Sequence, residues 1–141
     1  MCLELKKPEI IVAKEDIICY KVMMEPLRSN GGWVSPYMFI CYWKGDTYEL
    51  GKQLQLLDFS KTVKEYPYMV EEGFHSFTSL SGAKKHRKHL SMFNHDKRFV
   101  IVKCTIPKGT TYVEGLFYSC GTMFHSFCSE KIVCEGKVEN E

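Results

Sequence analysis

The fold of this chain is decided by the stretch Glu71-Glu72-Gly73-Phe74-His75-Ser76-Phe77, an apolar and aromatic run that carries one histidine. Such a run, bounded by polar residues and a glycine, predicts a short β-strand. Side chains alternate along a strand, so we expect Phe74 and Ser76 on one face and His75 and Phe77 on the other. The strand therefore sets which residues reach the core.

The segment that follows predicts a helix over residues 80–92, because it has no proline and is rich in Ala, Lys, Arg and Leu. Thr78 or Ser79 is the expected N-cap. Further along, Phe99–Ile106 predicts a central strand that stops at Pro107, whose ring removes a ladder donor. Lys108-Gly109 completes the turn.

Other short apolar runs predict strands at 10–13, 17–23, 37–43, 47–51, 110–114 and 131–134, with a turn at 44–46. Residues 52–66 are expected to be irregular with a helical turn, and 25–32 and 115–129 are expected to be loops. The predicted fold is one α+β domain over residues 1–141. It has a twisted, mainly antiparallel sheet of about six to eight strands and one basic helix.

The composition is that of a globular chain, 45% hydrophobic and 26% charged. No run approaches the roughly 18 apolar residues of a membrane span, and the amino terminus lacks a basic segment followed by an apolar one. We therefore expect no membrane partner and a cytoplasmic location. The seven cysteines contain no Cys-x-x-Cys pair, which predicts buried, reduced thiols and no zinc ribbon.

Charge is uneven along the chain, although the whole carries only +2. Residues 84–98 contain six Lys or Arg and one acid, a net +5 that leaves −3 for all other residues. One face should be electropositive. It is either a solvated helix face or a site for phosphates.

No motif for catalysis, cofactor binding or metal binding is present. His86 and His89 share a helical face, but nothing in the sequence indicates a third ligand, and the surrounding lysines oppose a cation. Nucleophile-elbow and phosphate-loop motifs are missing. His75 is the best single candidate for a functional side chain, as a partly desolvated, neutral imidazole. The alternative is a core histidine bonded to a backbone carbonyl.

A ligand site is predicted where the His75 strand, the first turn of the helix and the Lys103 strand meet. Aromatic rings there would stack a base, and cations and helix amides would hold phosphates. The alternative for each aromatic residue is ordinary core packing. The predicted ligand-binding residues are His75, Phe77, Ser79, Ser81, Lys84, Lys85, Arg87, Lys103, Tyr20 and Tyr48.

The order of these motifs resembles small domains of unknown function carried by phages and mobile elements, over most of residues 10–138. The matching strings are Ile18–Lys21, Tyr48–Gly51, Gly73–Phe77, Ile106–Thr110 and Ser129–Val133. The chain is more distantly similar to ADP-ribosyltransferases, which have a split antiparallel sheet around a nicotinamide-dinucleotide cleft.

The chain departs from that second family at its catalytic positions. Tyr20-Lys21 stands where the family has Arg or His, Phe77-Thr78-Ser79 matches its Ser-Thr-Ser-like string only loosely, and Lys131 falls near the place of its catalytic Glu. The resemblance therefore implies a cleft without the transferase residues.

The function expected from the sequence is noncatalytic binding of a small anionic ligand. The resemblance points to a nucleotide or ADP-ribose-type immune signal, sequestered in the host cytoplasm by a phage-encoded anti-defence protein. One alternative is an ADP-ribosyltransferase-like or nucleotide-cleaving enzyme that uses His75 or His125 as its base. Another alternative is a module that docks its basic helix on protein or nucleic acid, although a net charge of only +2 for the whole chain argues against nucleic acid. The sequence leaves homo-oligomerisation open.

Overall fold

The computed structural model of the chain describes residues 3–5, 9–24, 38–41, 47–56, 58–60, 63, 69–70, 72–95, 98–119 and 121–138. The predicted loop at 25–32 and the whole of the predicted turn at 44–46 lie outside these residues. Among the described residues, no helix is long and apolar enough to cross a membrane.

The described part of the chain forms twelve strands and one long helix, α1 (Leu80–Phe93). The strands are β1 (Leu3–Glu4), β2 (Ile11–Val12), β3 (Ile17–Met24), β4 (Met38–Cys41), β5 (Thr47–Glu49), β6 (Gln53–Gln55), β7 (Met69–Val70), β8 (Phe74–Phe77), β9 (Phe99–Ile106), β10 (Thr111–Ser119), β11 (Thr122–Ser129) and β12 (Lys131–Lys137).

The strands pair into one sheet in the order β6-β12-β9-β3-β8-β11-β10-β1-β7, with β2 beside β10, β4 beside β3 and β5 beside β4. Every pairing between them is antiparallel. The predicted mainly antiparallel sheet with one helix is thus confirmed. The strands outnumber the predicted six to eight because the short strands β1, β6 and β7 and the whole of β11 lie where no strand was predicted.

Buried side chains form two cores, one on each face of the sheet. Neighbouring residues of one strand alternate between them, as Phe127 and Cys128 do. The helix-side core lies under α1 and includes Phe77, Ala83, Ile101, Val113, Phe117, Phe124 and Cys128. The second core includes Cys19, Met23, Tyr48, Val102, Cys104, Phe127, Ile132 and Cys134.

The helix begins where the sequence predicts, because Ser79 caps it. Ser79 has extended backbone angles (φ −135°, ψ 152°), and its hydroxyl oxygen accepts a hydrogen bond from the Gly82 amide at 3.1 Å. Ala83 and His86 are its buried residues. The helix therefore packs through a narrow stripe and leaves most of its lysines in solvent.

One prediction about irregular structure is wrong, and another is correct only for its helical turn. Residues 115–129, expected to be a loop, form the second half of β10 and all of β11, a hairpin that turns at Gly121 with φ +74°. Phe117 and Phe124 are buried opposite each other in this hairpin, and their burial outweighs the glycine and serine content that suggested a loop. Within 52–66, the described residues Gln53–Gln55 form β6 against β12, while Phe59, Ser60 and Val63 are helical.

Candidate functional site

Three of the predicted ligand residues lie in one row across three neighbouring strands. Tyr20 on β3 is opposed to Phe77 on β8 and to Lys103 on β9. Directly opposed residues of antiparallel strands project from the same face of the sheet, and Phe77 belongs to the helix-side core. We call Phe77, Tyr20 and Lys103 the cross-strand row. It brings two aromatic rings and one cation to the face that α1 covers.

The first turn of α1 lies next to one end of this row, since Phe77 ends β8 and Leu80 begins the helix three residues later. No acidic residue lies in that turn, so the partial positive charge of the helix amino terminus is not offset there. Ser79 and Ser81 are exposed, with their hydroxyl oxygens 3.3 Å apart. The Gly82 amide is already bonded to Ser79 and is therefore not open to an anion in this conformation.

The basic residues of α1 differ in exposure. Lys84 and Lys85 are exposed, and Arg87 is half-buried. They place positive charge within two turns of the helix amino terminus. A polyanion approaching the cross-strand row would meet that charge before any contact forms.

Lys103 is partly neutralised by an acid on the neighbouring strand. Its ammonium lies 3.9 Å from Oε2 of Glu135, and both side chains are about half exposed. Oε1 of Glu135 also accepts a hydrogen bond from the Thr105 hydroxyl at 2.7 Å. An exposed pair of this kind is worth little, so a ligand phosphate can compete for Lys103.

His75 lies on the helix side of β8 but beside a buried thiol. Its Nε2 is 3.7 Å from Sγ of Cys128, to which it is directly opposed across the ladder. Cys128 is fully buried, and its Sγ also contacts the Glu72 carbonyl at 3.3 Å. A thiol without exposed surface cannot reach a substrate as large as a nucleotide while the core is closed. This contact therefore resembles core packing more than a catalytic dyad.

Tyr48 is not brought to the cross-strand row. It is buried in the second core, on the opposite face of the sheet, with its ring 6.4 Å from that of Phe74. The ammonium of Lys21 lies 5.0 Å from the Tyr48 ring centroid, a cation–π contact. Tyr48 therefore contacts Lys21 on one face of the sheet, whereas Tyr20 lies on the other face.

Lys21 is a functional candidate that the sequence reasoning passed over. Only 6% of it is exposed, and its ammonium donates a hydrogen bond to the His75 carbonyl at 2.5 Å. The bond is formed where the sheet divides: β3 pairs with β8 at Tyr20 and with β4 from Met23 onward. The available signal was the alternation Cys19, Lys21, Met23, which places this lysine between two core residues.

His86, which the sequence offered only as part of an incomplete metal site with His89, is a second buried polar residue. It is 3% exposed, and its ring lies 5.1 to 5.4 Å from the rings of Phe77, Phe117 and Phe124. Burial lowers the pKa of His86 to about 4, with a smaller contribution from His89. His86 is therefore neutral at physiological pH. Among the described residues, no group of three or more His, Cys, Asp or Glu side chains could hold a metal ion.

A cavity of about 460 Å³ lies on the face of the sheet away from α1. Its floor is apolar, from Ile11, Leu116 and Met123, and its rim carries His125 with three acids, Glu4, Glu9 and Glu114. Carboxylates on three separate segments repel an anion. This cavity, which the sequence did not suggest, is therefore a poor host for the predicted ligand.

Comparison of the chain with protein-family models, with curated proteins and with solved structures found no match in any of the three.

Proposed function

We propose that the protein binds a small anionic ligand without changing it chemically, at the cross-strand row and the first turn of α1. The ligand class is a nucleotide or an ADP-ribose-type signal. The role is sequestration of such an immune signal by a phage-encoded anti-defence protein. The observation that carries the proposal is the register of Phe77, Tyr20 and Lys103 beside a helix amino terminus without acids.

Each part of this site suits one part of a nucleotide. Tyr20 is only half-buried, so its ring offers a surface on which a base can stack. Lys103 and the amino terminus of α1 favour the phosphates, the first through its charge and the second through its dipole. The helix lysines, Lys84 and Lys85, raise the local concentration of anions.

Binding is favoured over catalysis by the burial of the candidate nucleophile. Cys128 has no exposed surface, and its partner His75 is partly buried beside it. Sequestration needs affinity and copy number but no stabilisation of a transition state. A site made of one aromatic ring, one cation and a helix terminus is enough for that task.

Thermal-shift measurements with ADP-ribose and a panel of cyclic nucleotides test the proposal. A ligand at 100 times its Kd is expected to add about 2.7 kcal/mol to the free energy of unfolding. The ligand should be recovered intact after the protein is denatured, whereas an enzyme would release product. If no nucleotide stabilises the protein, the proposed ligand class is wrong. Binding of DNA or RNA that falls steeply with salt would favour the interaction-module alternative.

Two single variants locate the ligand by opposite effects. Lys103→Ala should weaken binding by about 1 to 3 kcal/mol, the range for a lost charged hydrogen bond. Glu135→Gln should strengthen it by about 0.2 to 1 kcal/mol, because an exposed competing ion pair is removed. Both are measured by isothermal titration calorimetry, with the exposed Lys14→Ala as the matched control. Equal affinities for Lys103→Ala and Lys14→Ala would place the site elsewhere.

A further inference from the structure

Three cysteines from three adjacent strands lie side by side in the second core. Cys104 on β9 is directly opposed to Cys19 on β3 and to Cys134 on β12. Opposed residues of an antiparallel ladder share a face, so the three thiols project together. All three are at most 1% exposed. They are free thiols.

Cys104 and Cys134 are already in contact. The Cys104 thiol donates a hydrogen bond to Sγ of Cys134, with the two sulfurs 3.4 Å apart. Directly opposed residues have Cα atoms about 4.5 to 5.5 Å apart, within the range of about 4.4 to 6.8 Å that a disulfide spans. The ladder register also shifts between Cys134 and Gly136. That irregularity leaves β12 room to adjust while the sulfurs close.

The surroundings favour Cys134 as the reacting thiolate. A hydrogen bond from Cys104 lowers the pKa of Cys134; burial opposes this shift, and the positive charge of Lys21 supports it. Burial raises the pKa of Cys104 well above its ordinary value and that of Cys19 to about 11, although Lys21 opposes both shifts. The more acidic thiol is the one that reacts first with an oxidant.

We propose that Cys104 and Cys134 form an oxidisable dithiol, which hydrogen peroxide closes into a disulfide between β9 and β12. The Cys134 thiolate attacks one peroxide oxygen and breaks the O–O bond, giving a sulfenic acid and hydroxide. The Cys104 sulfur then attacks the sulfenic sulfur and expels water. The hydroxide takes up the proton that Cys134 had lost. Two thiols and one peroxide thus give one disulfide and two waters, with two electrons passing to the peroxide.

The test is peroxide treatment of the full chain, followed by acid quenching, alkylation and peptide mapping without reductant. The expected product is a peptide pair joined through Cys104 and Cys134, lighter by two hydrogens than the two peptides together and separated by dithiothreitol. Cys134→Ala should abolish the link. Cys19→Ala should retain it, since this matched variant removes the thiol on the other side of Cys104.

The order of reaction is tested by trapping the sulfenic acid with dimedone. In Cys104→Ser, whose hydroxyl keeps a hydrogen-bond donor beside Cys134 but cannot form a disulfide, the trap should label Cys134, whereas in Cys134→Ser it should leave Cys104 unlabelled. A link through Cys19 or through any other cysteine would overturn the proposal. The proposal would also be overturned if both thiols were recovered unreacted from the folded protein after treatment with a peroxide concentration that oxidises them in the denatured chain. Circular dichroism of each variant checks that the fold is intact.

Discussion

Replacing Gly73 by alanine is expected to destabilise the protein by about 2 to 5 kcal/mol, from backbone strain and overpacking together. Gly73 has φ +131°, a conformation that L side chains rarely adopt. An added Cβ would collide with Sγ of Cys128 and lie 2.8 Å from Cε2 of Phe59, and both of these residues are fully buried. Sγ of Cys128 already contacts the Glu72 carbonyl and Nε2 of His75, and these contacts would be disturbed if it moved. The loss is a large fraction of the stability of a single domain.

Urea unfolding of Gly73→Ala and Gly109→Ala separates the two contributions. Gly109 also has a positive φ, +86°, but a Cβ there would meet nothing within 4 Å. Its replacement should cost only the backbone part, about 1 to 2 kcal/mol. The excess loss in Gly73→Ala then measures the collision with the core. Similar losses in the two variants would mean that the core around Cys128 accepts a methyl group, contrary to our prediction.

Replacing His86 by leucine is expected to stabilise the protein and to reduce its sensitivity to acid. Neither ring nitrogen of His86 has a hydrogen-bond partner among the described residues, and three phenylalanine rings surround the imidazole. A buried polar group without partners costs about 1 to 3 kcal/mol. Leucine has a similar volume and carries no polar atom. The free energy of unfolding at pH 7 should therefore rise by an amount in that range.

The pH dependence follows from the direction of the shift. Burial lowers the folded-state pKa of His86 to about 4 from an ordinary value of 6.5. Between those values the unfolded chain binds the extra proton, so stability is fully present above pH 6.5 and is lost as the pH falls towards 4. The loss amounts to about 3 kcal/mol. Among the residues that the structure describes, His89 is the titratable group that contributes to this shift, and the ring neighbours of His86 are phenylalanines.

Denaturant unfolding of the wild type and His86→Leu, at several pH values from 4 to 7, measures this loss. Subtracting the free energy of unfolding of one protein from that of the other at each pH cancels the contribution of the carboxylates that titrate in the same range. That difference should widen on acidification in favour of the variant. His95→Leu, at an exposed position, should follow the wild type. If His86→Leu and the wild type lose stability in parallel, His86 does not govern the acid response.

Local signals in the sequence were sufficient for the elements around the proposed site. The cap at Ser79, the helix that follows it, and the strands Phe74–Phe77 and Phe99–Ile106 lie where they were predicted. Capping, helix propensity and β-branched runs act over a few residues, so a single sequence contains them. The expected convergence of the Phe77 and Lys103 strands also agrees with the register through Tyr20.

Only the tertiary structure decided which of these residues meet. The sequence could not indicate that Tyr48 and Tyr20 lie on opposite faces, or that Lys21 is buried where β3 leaves β8. It equally could not align Cys19, Cys104 and Cys134. Residues tens of positions apart become neighbours through strand register. Register is selected by burial of the whole sheet, and that energy belongs to no single segment of the chain.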